Sequence, residues 1–148
     1  MALRILRTIG DVALRKPCRE VTQFDEKLKV LVKDMAETMY HEQGVGLAAP
    51  QIGILKRIVV IDMGNGLELL INPRYVKQEG EQEVTEACLS IPERTAVRTR
   101  PFYVEVEAQD LFGQWQTFKG SGDYAKCLCH EIDHLDGILY IDDILYYL

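Results

Sequence analysis

The chain has 148 residues, of which 47% are hydrophobic and 27% are charged, and this balance favours a single globular domain over residues 1–148. Its formal net charge of −6 disfavours a nucleic-acid-binding role, which usually depends on a basic patch. No apolar run approaches the roughly 18 residues of a membrane span, and arginines interrupt the first residues before a secretory signal could form. We therefore expect a cytoplasmic protein whose cysteines are free thiols or metal ligands.

Hydrophobic spacing predicts an amphipathic N-terminal helix over residues 25–42. Acidic residues stand at its N-terminal end, where they favour helix formation, and Gly44 can end it. The apolar residues of its buried face are Leu28, Leu31, Val32, Met35 and Met39. The following segment, Gly44–Gly53, combines glycines, alanines and a proline, and it suits neither a long helix nor an ordinary strand.

The middle of the chain is rich in residues that favour strands. The predicted strands are Arg57–Met63, Leu67–Asn72, Tyr75–Lys77, Glu83–Ala87, Phe102–Gln109 and Gln114–Phe118. Gly64-Asn65-Gly66 predicts a hairpin turn between the first two, and Asp110–Gly113 predicts a turn between the last two. Apolar and polar residues alternate in Phe102–Gln109, so we expect that strand to be half buried.

A second helix is predicted from Asp123 to about Leu135. Ser121-Gly122-Asp123 can cap its start, and Gly137 fits the position after its end. The tail Ile138–Leu148 could form a last strand or a contact surface, and the sequence leaves both open. The order of elements predicts an α+β fold, with mixed, mainly antiparallel sheets packed around this C-terminal helix.

This helix contains the segment His130-Glu131-Ile132-Asp133-His134. Two histidines four residues apart project from the same helix face, so both rings can reach one metal ion. Glu131 stands beside the first histidine, where a carboxylate can take a proton from a metal-bound water. The pattern makes metal-assisted hydrolysis the first hypothesis and predicts that the helix binds metal.

Two histidines do not complete a catalytic site, which usually has three protein ligands and one position for water. After His134 the only candidate ligands are Asp136, Asp142 and Asp143, and the nearest is too close on the helix to reach the same ion easily. We therefore expect the third ligand upstream, where the candidates are Cys18, His41, Glu86 and Cys88, with Cys127 and Cys129 in the helix itself. The position of Cys88, between a strand-like run and a proline, favours it without closing the choice, because an irregular bend can aim a thiolate at a metal.

Three segments, in this order, resemble motifs of the peptide deformylase family. Gly44–Gln51 matches Gly-apolar-Gly-apolar-Ala-Ala-x-Gln, and His130–His134 matches His-Glu-x-Asp-His. Glu86–Ser90 matches Glu-Gly-Cys-Leu-Ser at four of five positions, with Ala87 in place of glycine. The start Gly10–Arg15 is also similar to the family, and the resemblance spans essentially the whole chain. Each motif alone is modest support, but the ordered trio is highly specific.

The resemblance implies a site and a reaction. It implies Cys88, His130 and His134 as ligands of one divalent ion, generally Fe²⁺ in the family, with Zn²⁺, Ni²⁺ or Co²⁺ as alternatives. It further implies Glu131 as general base and acid, with Gln51 and the Leu89 N–H as oxyanion donors. The implied reaction removes the formyl group from the N-terminal formylmethionine of new polypeptides by attack of metal-bound hydroxide and releases formate. Nascent peptides at the ribosome would be the partners, while the oligomeric state stays unknown.

The substrate is expected to contact residues of all three motifs. The predicted substrate-binding residues are Gly44, Val45, Gly46, Glu86 and Cys127, with Val84 and Lys126 as further candidates for the methionine pocket. The two glycines would let the peptide backbone approach closely, as an added strand would. Arg94, Arg98 and Arg100 could contact the peptide or be solvated charges.

Two departures from the family pattern concern the shape of the site. Ala87 would be strained by about 1 kcal/mol or more if its position needs φ > 0, whereas in an extended backbone its methyl group would only narrow the site. Cys129 replaces a common glutamine, so a hydrogen bond behind the metal could be lost or replaced.

Two other functions stay open from the residues alone. A small zinc endoprotease is disfavoured by the motif around Cys88. A non-catalytic metal or redox module that uses Cys88, Cys127 and Cys129 is disfavoured by Glu131 and Gln51, because a closed structural site needs neither.

Overall fold

A computed structural model describes residues 2–148, in which two α-helices and eight strands form an α+β fold. The helices are α1 (Glu26–His41) and α2 (Asp123–Leu135). The strands are β1 (Gly46–Ala48), β2 (Ile58–Ile61), β3 (Glu68–Glu79), β4 (Gln82–Cys88), β5 (Ile91–Arg100), β6 (Tyr103–Gln109), β7 (Trp115–Ser121) and β8 (Tyr146–Tyr147). Short 3₁₀ turns cover Val12–Arg15, Ala49–Ile52 and Tyr140–Asp142. The predicted fold class and both helices are confirmed.

Helix α1 begins at a side-chain cap. The carboxylate of Asp25 accepts a hydrogen bond from the Leu28 N–H at 3.0 Å, which satisfies one of the free donors of the first turn. At the other end the chain leaves the helix through Gln43, whose φ is 59°, and not through a left-handed Gly44. The predicted apolar face is buried against the larger sheet.

The larger sheet has the strand order β1-β2-β3-β6-β7, and all neighbouring strands are antiparallel. Ile58 and Val60 of β2 belong to the core that α1 covers, whereas Val59 and Ile61 belong to the core that α2 covers. Successive side chains of a strand point to opposite faces, so a strand buried on both faces is apolar throughout. This explains the unbroken apolar run of β2.

The smaller sheet has the order β4-β5-β8 and covers the other side of the site. Its last strand pairs Tyr146 and Tyr147 with Val97 and Ala96, so the tail does form a strand. Strand β5 is not predicted from the sequence, because Pro92 and the charges after it suggest a loop.

Strand β3 is longer than predicted and includes both Leu67–Asn72 and Tyr75–Lys77 almost entirely. It passes through Asn72, a residue with φ of 53°, where the register to β6 shifts. The side chain of Asn72 is held by the Val21 N–H at 2.8 Å and by Gln109 Oε1 at 2.7 Å. These contacts offset the unusual backbone, which is why Asn72-Pro73 does not end the strand.

Helix α2 lies between the two sheets. Its N-cap is Gly122, with φ of 62°, which lies within the predicted capping segment Ser121-Gly122-Asp123. No side chain of the described residues makes a capping hydrogen bond there. Leu128 and Ile132 are buried against the larger sheet, while His130 and Glu131 are also buried, on the side of the site. Gly137 follows the helix as predicted, with φ of 74°. Within residues 2–148, neither helix is long and apolar enough to cross a membrane.

Candidate metal centre and active site

Cys88, His130 and His134 meet where helix α2 passes the end of strand β4. One potential ligand atom of each residue lies within 4.8 Å of those of the other two. The Sγ atom of Cys88 is 3.4 Å from His134 Nε2. An irregularity in the pairing of β4 with β5, between Glu86 and Cys88, accompanies the turn of the chain towards the helix. The structure thus brings together the three residues that the family resemblance implied as ligands.

The chemistry of this cluster fits a divalent metal ion. One thiol and two imidazoles are donors that Zn²⁺ and Fe²⁺ both accept. Burial lowers the pKa of His134 well below its usual value, which keeps the imidazole in the neutral form that binds metal. The buried Glu131 Oε1 has no hydrogen-bond partner within residues 2–148, so an acceptor is left free beside the cluster.

A chain of buried charges supports His130 from behind. Its Nδ1 lies 2.8 Å from Glu86 Oε1, and Glu86 also pairs with Arg100 through two contacts of 2.6 and 2.9 Å. Arg100 reaches Asp133 at 2.6 Å. Burial alone would raise the pKa of Glu86, but hydrogen bonds from Arg100 and His130 lower it to about 2. Glu86 is therefore ionised, and it fixes the ring that carries the proposed ligand atom.

This arrangement corrects one expectation. Arg100 is neither solvated nor exposed to the cavity, because its side chain is only 4% exposed and its guanidinium lies between two carboxylates. Glu86 lines the site cavity, but both of its oxygens are already bound within the protein. Its predicted contact with substrate therefore stays a prediction, and what the structure describes is a contact with His130.

The side chain of Glu131 lies against Gly46, in a position that a larger residue at 46 would obstruct. A Cβ atom built on Gly46 would lie 2.5 Å from Glu131 Oε2 and 2.9 Å from its Cδ. Burial raises the pKa of Glu131 to about 7. A carboxyl group that titrates near neutral pH suits general acid–base catalysis. The glycine of β1 therefore accommodates the proposed base, a reason for its presence that the sequence did not suggest.

The side-chain amide of Gln51 is oriented by three groups. Its Oε1 accepts the Ala48 N–H at 2.9 Å, and its Nε2 lies 3.1 Å from Ser90 Oγ and 3.6 Å from Cys88 Sγ. Leu89 and Ser90 form the tight turn between β4 and β5. The side-chain N–H of Gln51 and the backbone of Leu89 thus both lie next to Cys88, where they could bind an oxyanion.

A cavity of about 490 Å³ opens in front of these groups. All of the predicted catalytic residues and the five predicted substrate-binding residues line it, as does Lys126. Val84, the other candidate for the methionine pocket, is buried and is not part of this lining. Four more residues line the cavity that the sequence did not single out as contacts. The additional four are Gln43, Met63, Ala87 and Asp123. Ala87 lies in the extended backbone of β4, so it is not strained, and its methyl group adds to the cavity wall.

Of the other candidate ligands, Glu86 and Cys127 line the cavity, whereas three lie elsewhere. His41 is at the exposed end of α1, and Cys129 is buried in the core between α2 and the larger sheet. Cys18 packs at the edge of the same core, where burial raises its pKa to about 11. All four cysteines are free thiols in the described residues.

Comparison with known proteins decides between the remaining interpretations. The sequence model of the family described as Polypeptide deformylase matches residues 3–145. The chain belongs to the peptide deformylase family. Members of this family are enzymes that remove the N-formyl group from nascent polypeptides, and the predicted family and enzyme class are confirmed.

Individual peptide deformylases are similar over nearly the whole chain. The sequence is 54% identical to the peptide deformylase of Acetivibrio thermocellus, over 98% of this chain and 85% of that protein. The solved structure of peptide deformylase from Thermotoga maritima superposes with a TM-score of 0.95 at 41% identity, over 97% of this chain and 99% of that one. A Synechococcus elongatus peptide deformylase, solved in complex with actinonin, gives a TM-score of 0.92 at 39% identity, covering 95% and 78%.

Proposed function

We propose that residues 1–148 form one catalytic domain that hydrolyses the formyl group of N-formylmethionyl polypeptides at a metal ion held by Cys88, His130 and His134. The observation that carries the proposal is that Glu131 and Gln51 line one cavity together with Cys88 and His130. A structural metal site would need neither a buried free carboxylate nor an aimed amide. Family membership supplies the reaction, and this cavity supplies groups with the matching chemistry.

The residues of the chain divide the work between proton transfer and charge stabilisation. A divalent cation held by Cys88, His130 and His134 would act as a Lewis acid and would make a water molecule more acidic, so that it could attack near neutral pH. Glu131 takes the proton of the attacking water and passes it to the leaving amine, for which its pKa of about 7 is well matched. Formate and a free N-terminal methionine are the products.

Negative charge develops on the formyl oxygen as the water attacks. Gln51 Nε2 and the Leu89 N–H are the donors that stabilise this charge. Both are held by surrounding structure before the reaction, and such preorganised donors are effective because they need little reorganisation. Loss of one donor of this kind typically slows turnover by ~10²–10³.

The peptide lies in the cavity beside strand β1. In the described part of the chain β1 is an edge strand, paired only with β2, so a peptide can add to its outer side through Gly44, Val45 and Gly46. The methionine side chain enters the cavity near Cys127 and Glu86. The substrates are nascent chains at the ribosome, and the enzyme acts in the cytoplasm.

Fe²⁺ is the proposed native metal. A thiolate with two imidazoles also suits Zn²⁺, and Ni²⁺ or Co²⁺ can substitute, so the donor set alone permits each of them. Metal analysis of protein purified without oxygen from its native host would identify the ion.

The function is tested by formate release from an N-formyl-Met-Ala-Ser peptide, with protein purified without oxygen and loaded with Fe²⁺. Glu131→Ala should abolish release while the bound metal stays at one ion per chain. Cys18→Ala, at a thiol outside the cavity, is the control and should keep the activity. Cleavage within the unformylated peptide would instead indicate an endoprotease, and no release from folded, loaded protein would refute the proposal.

A further inference from the structure

Ser90 is a buried polar residue that the proposed chemistry does not use. It is fully buried in the turn between β4 and β5, two residues after Cys88. Its Oγ lies 3.1 Å from Gln51 Nε2. Burying a hydroxyl destabilises the protein unless its hydrogen bonds are made, and an apolar side chain of similar size would avoid this cost. The presence of a serine here therefore suggests a role for its hydroxyl.

The amide of Gln51 needs more than one partner to keep its orientation. Its Oε1 is fixed by the Ala48 N–H at 2.9 Å. Of the two Nε2 protons, one is donated to Ser90 Oγ, which leaves the other for the Cys88 side, where Sγ lies 3.6 Å away. The terminal torsion of a glutamine is broad, so an amide held at one end can still rock. The hydroxyl of Ser90 removes that freedom.

The main chains of the same two residues are tied to one N-terminal segment. The Arg7 N–H donates to the Gln51 carbonyl at 2.7 Å, and the Ile9 N–H donates to the Ser90 carbonyl at 2.8 Å. Residues 7–9 thus bridge the 3₁₀ turn that carries Gln51 and the β4–β5 turn that carries Ser90. The distance between these turns is set by backbone hydrogen bonds as well as by the side-chain contact.

We propose that Ser90 is a positioning residue, which holds the Gln51 amide so that its second proton points at the developing oxyanion. The proposal rests on the oxyanion role proposed above for Gln51. Ser90 itself touches neither the substrate nor the metal. Its effect should therefore appear in kcat, with little change in KM or in bound metal.

A double-mutant cycle on formate release tests this inference. The four Fe²⁺-loaded proteins are the unchanged chain, Ser90→Ala, Gln51→Ala and the double variant. Ser90→Ala alone should lower kcat on the order of tenfold, the effect of one hydrogen bond. In the Gln51→Ala background it should have no further effect, because the group it orients is gone. The exposed Ser121→Ala is the matched control and should leave kcat unchanged in both backgrounds.

A second readout does not depend on turnover. In zinc-loaded protein, the side-chain amide of Gln51 should give a rigid pair of proton signals by NMR, and Ser90→Ala should lower its order parameter. If Ser90→Ala lowered kcat by the same factor with and without Gln51, and the order parameter of the Gln51 amide did not change, the positioning role of Ser90 would be refuted. The proposed role of Gln51 would not be affected by that result. If Gln51→Ala itself left formate release unchanged, the proposed oxyanion donor would be wrong and this inference would fall with it.

Discussion

The most decisive test of the buried support behind His130 is the removal of the positive charge of Arg100. The Arg100→Leu variant leaves Glu86, whose side chain is 2% exposed, without its guanidinium partner. Removing one member of a buried ion pair costs about 3–5 kcal/mol, because the other charge is left without compensation. At ~2–4 °C per kcal/mol for a chain of this size, Tm should fall by roughly 6–20 °C.

The chain contains a matched control for this variant. Arg15 contacts Asp142 at 2.6 and 2.9 Å, the same two distances that join Arg100 to Glu86, but the side chains are 48% and 33% exposed. Arg15→Leu should therefore cost only ~0–1 kcal/mol, the value of a surface pair. Because the contact distances of the two ion pairs are equal, the difference in Tm between Arg100→Leu and Arg15→Leu measures the effect of burial.

The assay is thermal unfolding followed by circular dichroism at pH 7, with the zinc concentration held fixed for all variants. The double variant Arg100→Leu/Glu86→Gln should regain part of the lost Tm, because it also removes the buried negative charge. Equal losses for Arg100→Leu and Arg15→Leu, or no regain in the double variant, would refute the reasoning.

Further predictions concern the glycines and Ala87 of the site, the thiol of Cys18 and the metal. Gly46→Ala should lower the rate of formate release about tenfold or more while the metal is retained, because the new methyl group displaces Glu131. Gly44→Ala should lower the rate less, because its Cβ would make its close contact, at 2.7 Å, with the end of the flexible Leu89 side chain. Ala87→Gly should cost no more than ~1 kcal/mol of stability and lower KM for peptides with bulky side chains, as measured by unfolding and kinetics. Because burial raises the pKa of Cys18 to about 11, Cys18 should react with iodoacetamide at pH 7.5 on the order of a hundredfold slower than free cysteine. The reaction rate should keep rising as the pH approaches 11. A rate that levels off near pH 8.5 would contradict this prediction. Fe²⁺-loaded enzyme should lose activity in air while zinc-loaded enzyme keeps it, and equal half-lives with and without oxygen would argue against iron chemistry.

The parts of the fold that follow local patterns could be predicted from the sequence. Helix α1 is observed within one residue of each predicted end, because its apolar stripe and its Asp25 cap are local features. Strand β5 could not be predicted, since Pro92 and Glu93, whose φ is 65°, interrupt its pattern. It forms because β4 pairs with one of its sides through the tight turn and β8 pairs with the other. The partner strand β8 lies at the far end of the chain, so no local window contains that pairing.

In the site too, the features set by local motifs could be predicted from the sequence, and those that depend on distant residues could not. The motifs place Cys88, His130 and Glu131 in sequence, and the structure brings them to one cavity. The burial of Arg100 could not be predicted, because it is one of three arginines in a charged segment, and such a segment suggests solvated side chains. Its partners are 14 and 33 residues away in the chain, and only the folded structure makes them neighbours.

The position of helix α2 has a consequence for how the protein matures. The helix supplies two of the three proposed ligands, and it packs against both β1 and β7, the two outer strands of the larger sheet. The ligand set therefore exists only after residues 123–135 have folded back onto a sheet whose first strand was made some 75 residues earlier. Contacts of such sequence separation are slow to form, because the entropy of closing the intervening loop is lost before they are made. Metal uptake should thus be a late step, and the absorption of a Co²⁺-substituted thiolate should develop with the slowest refolding phase.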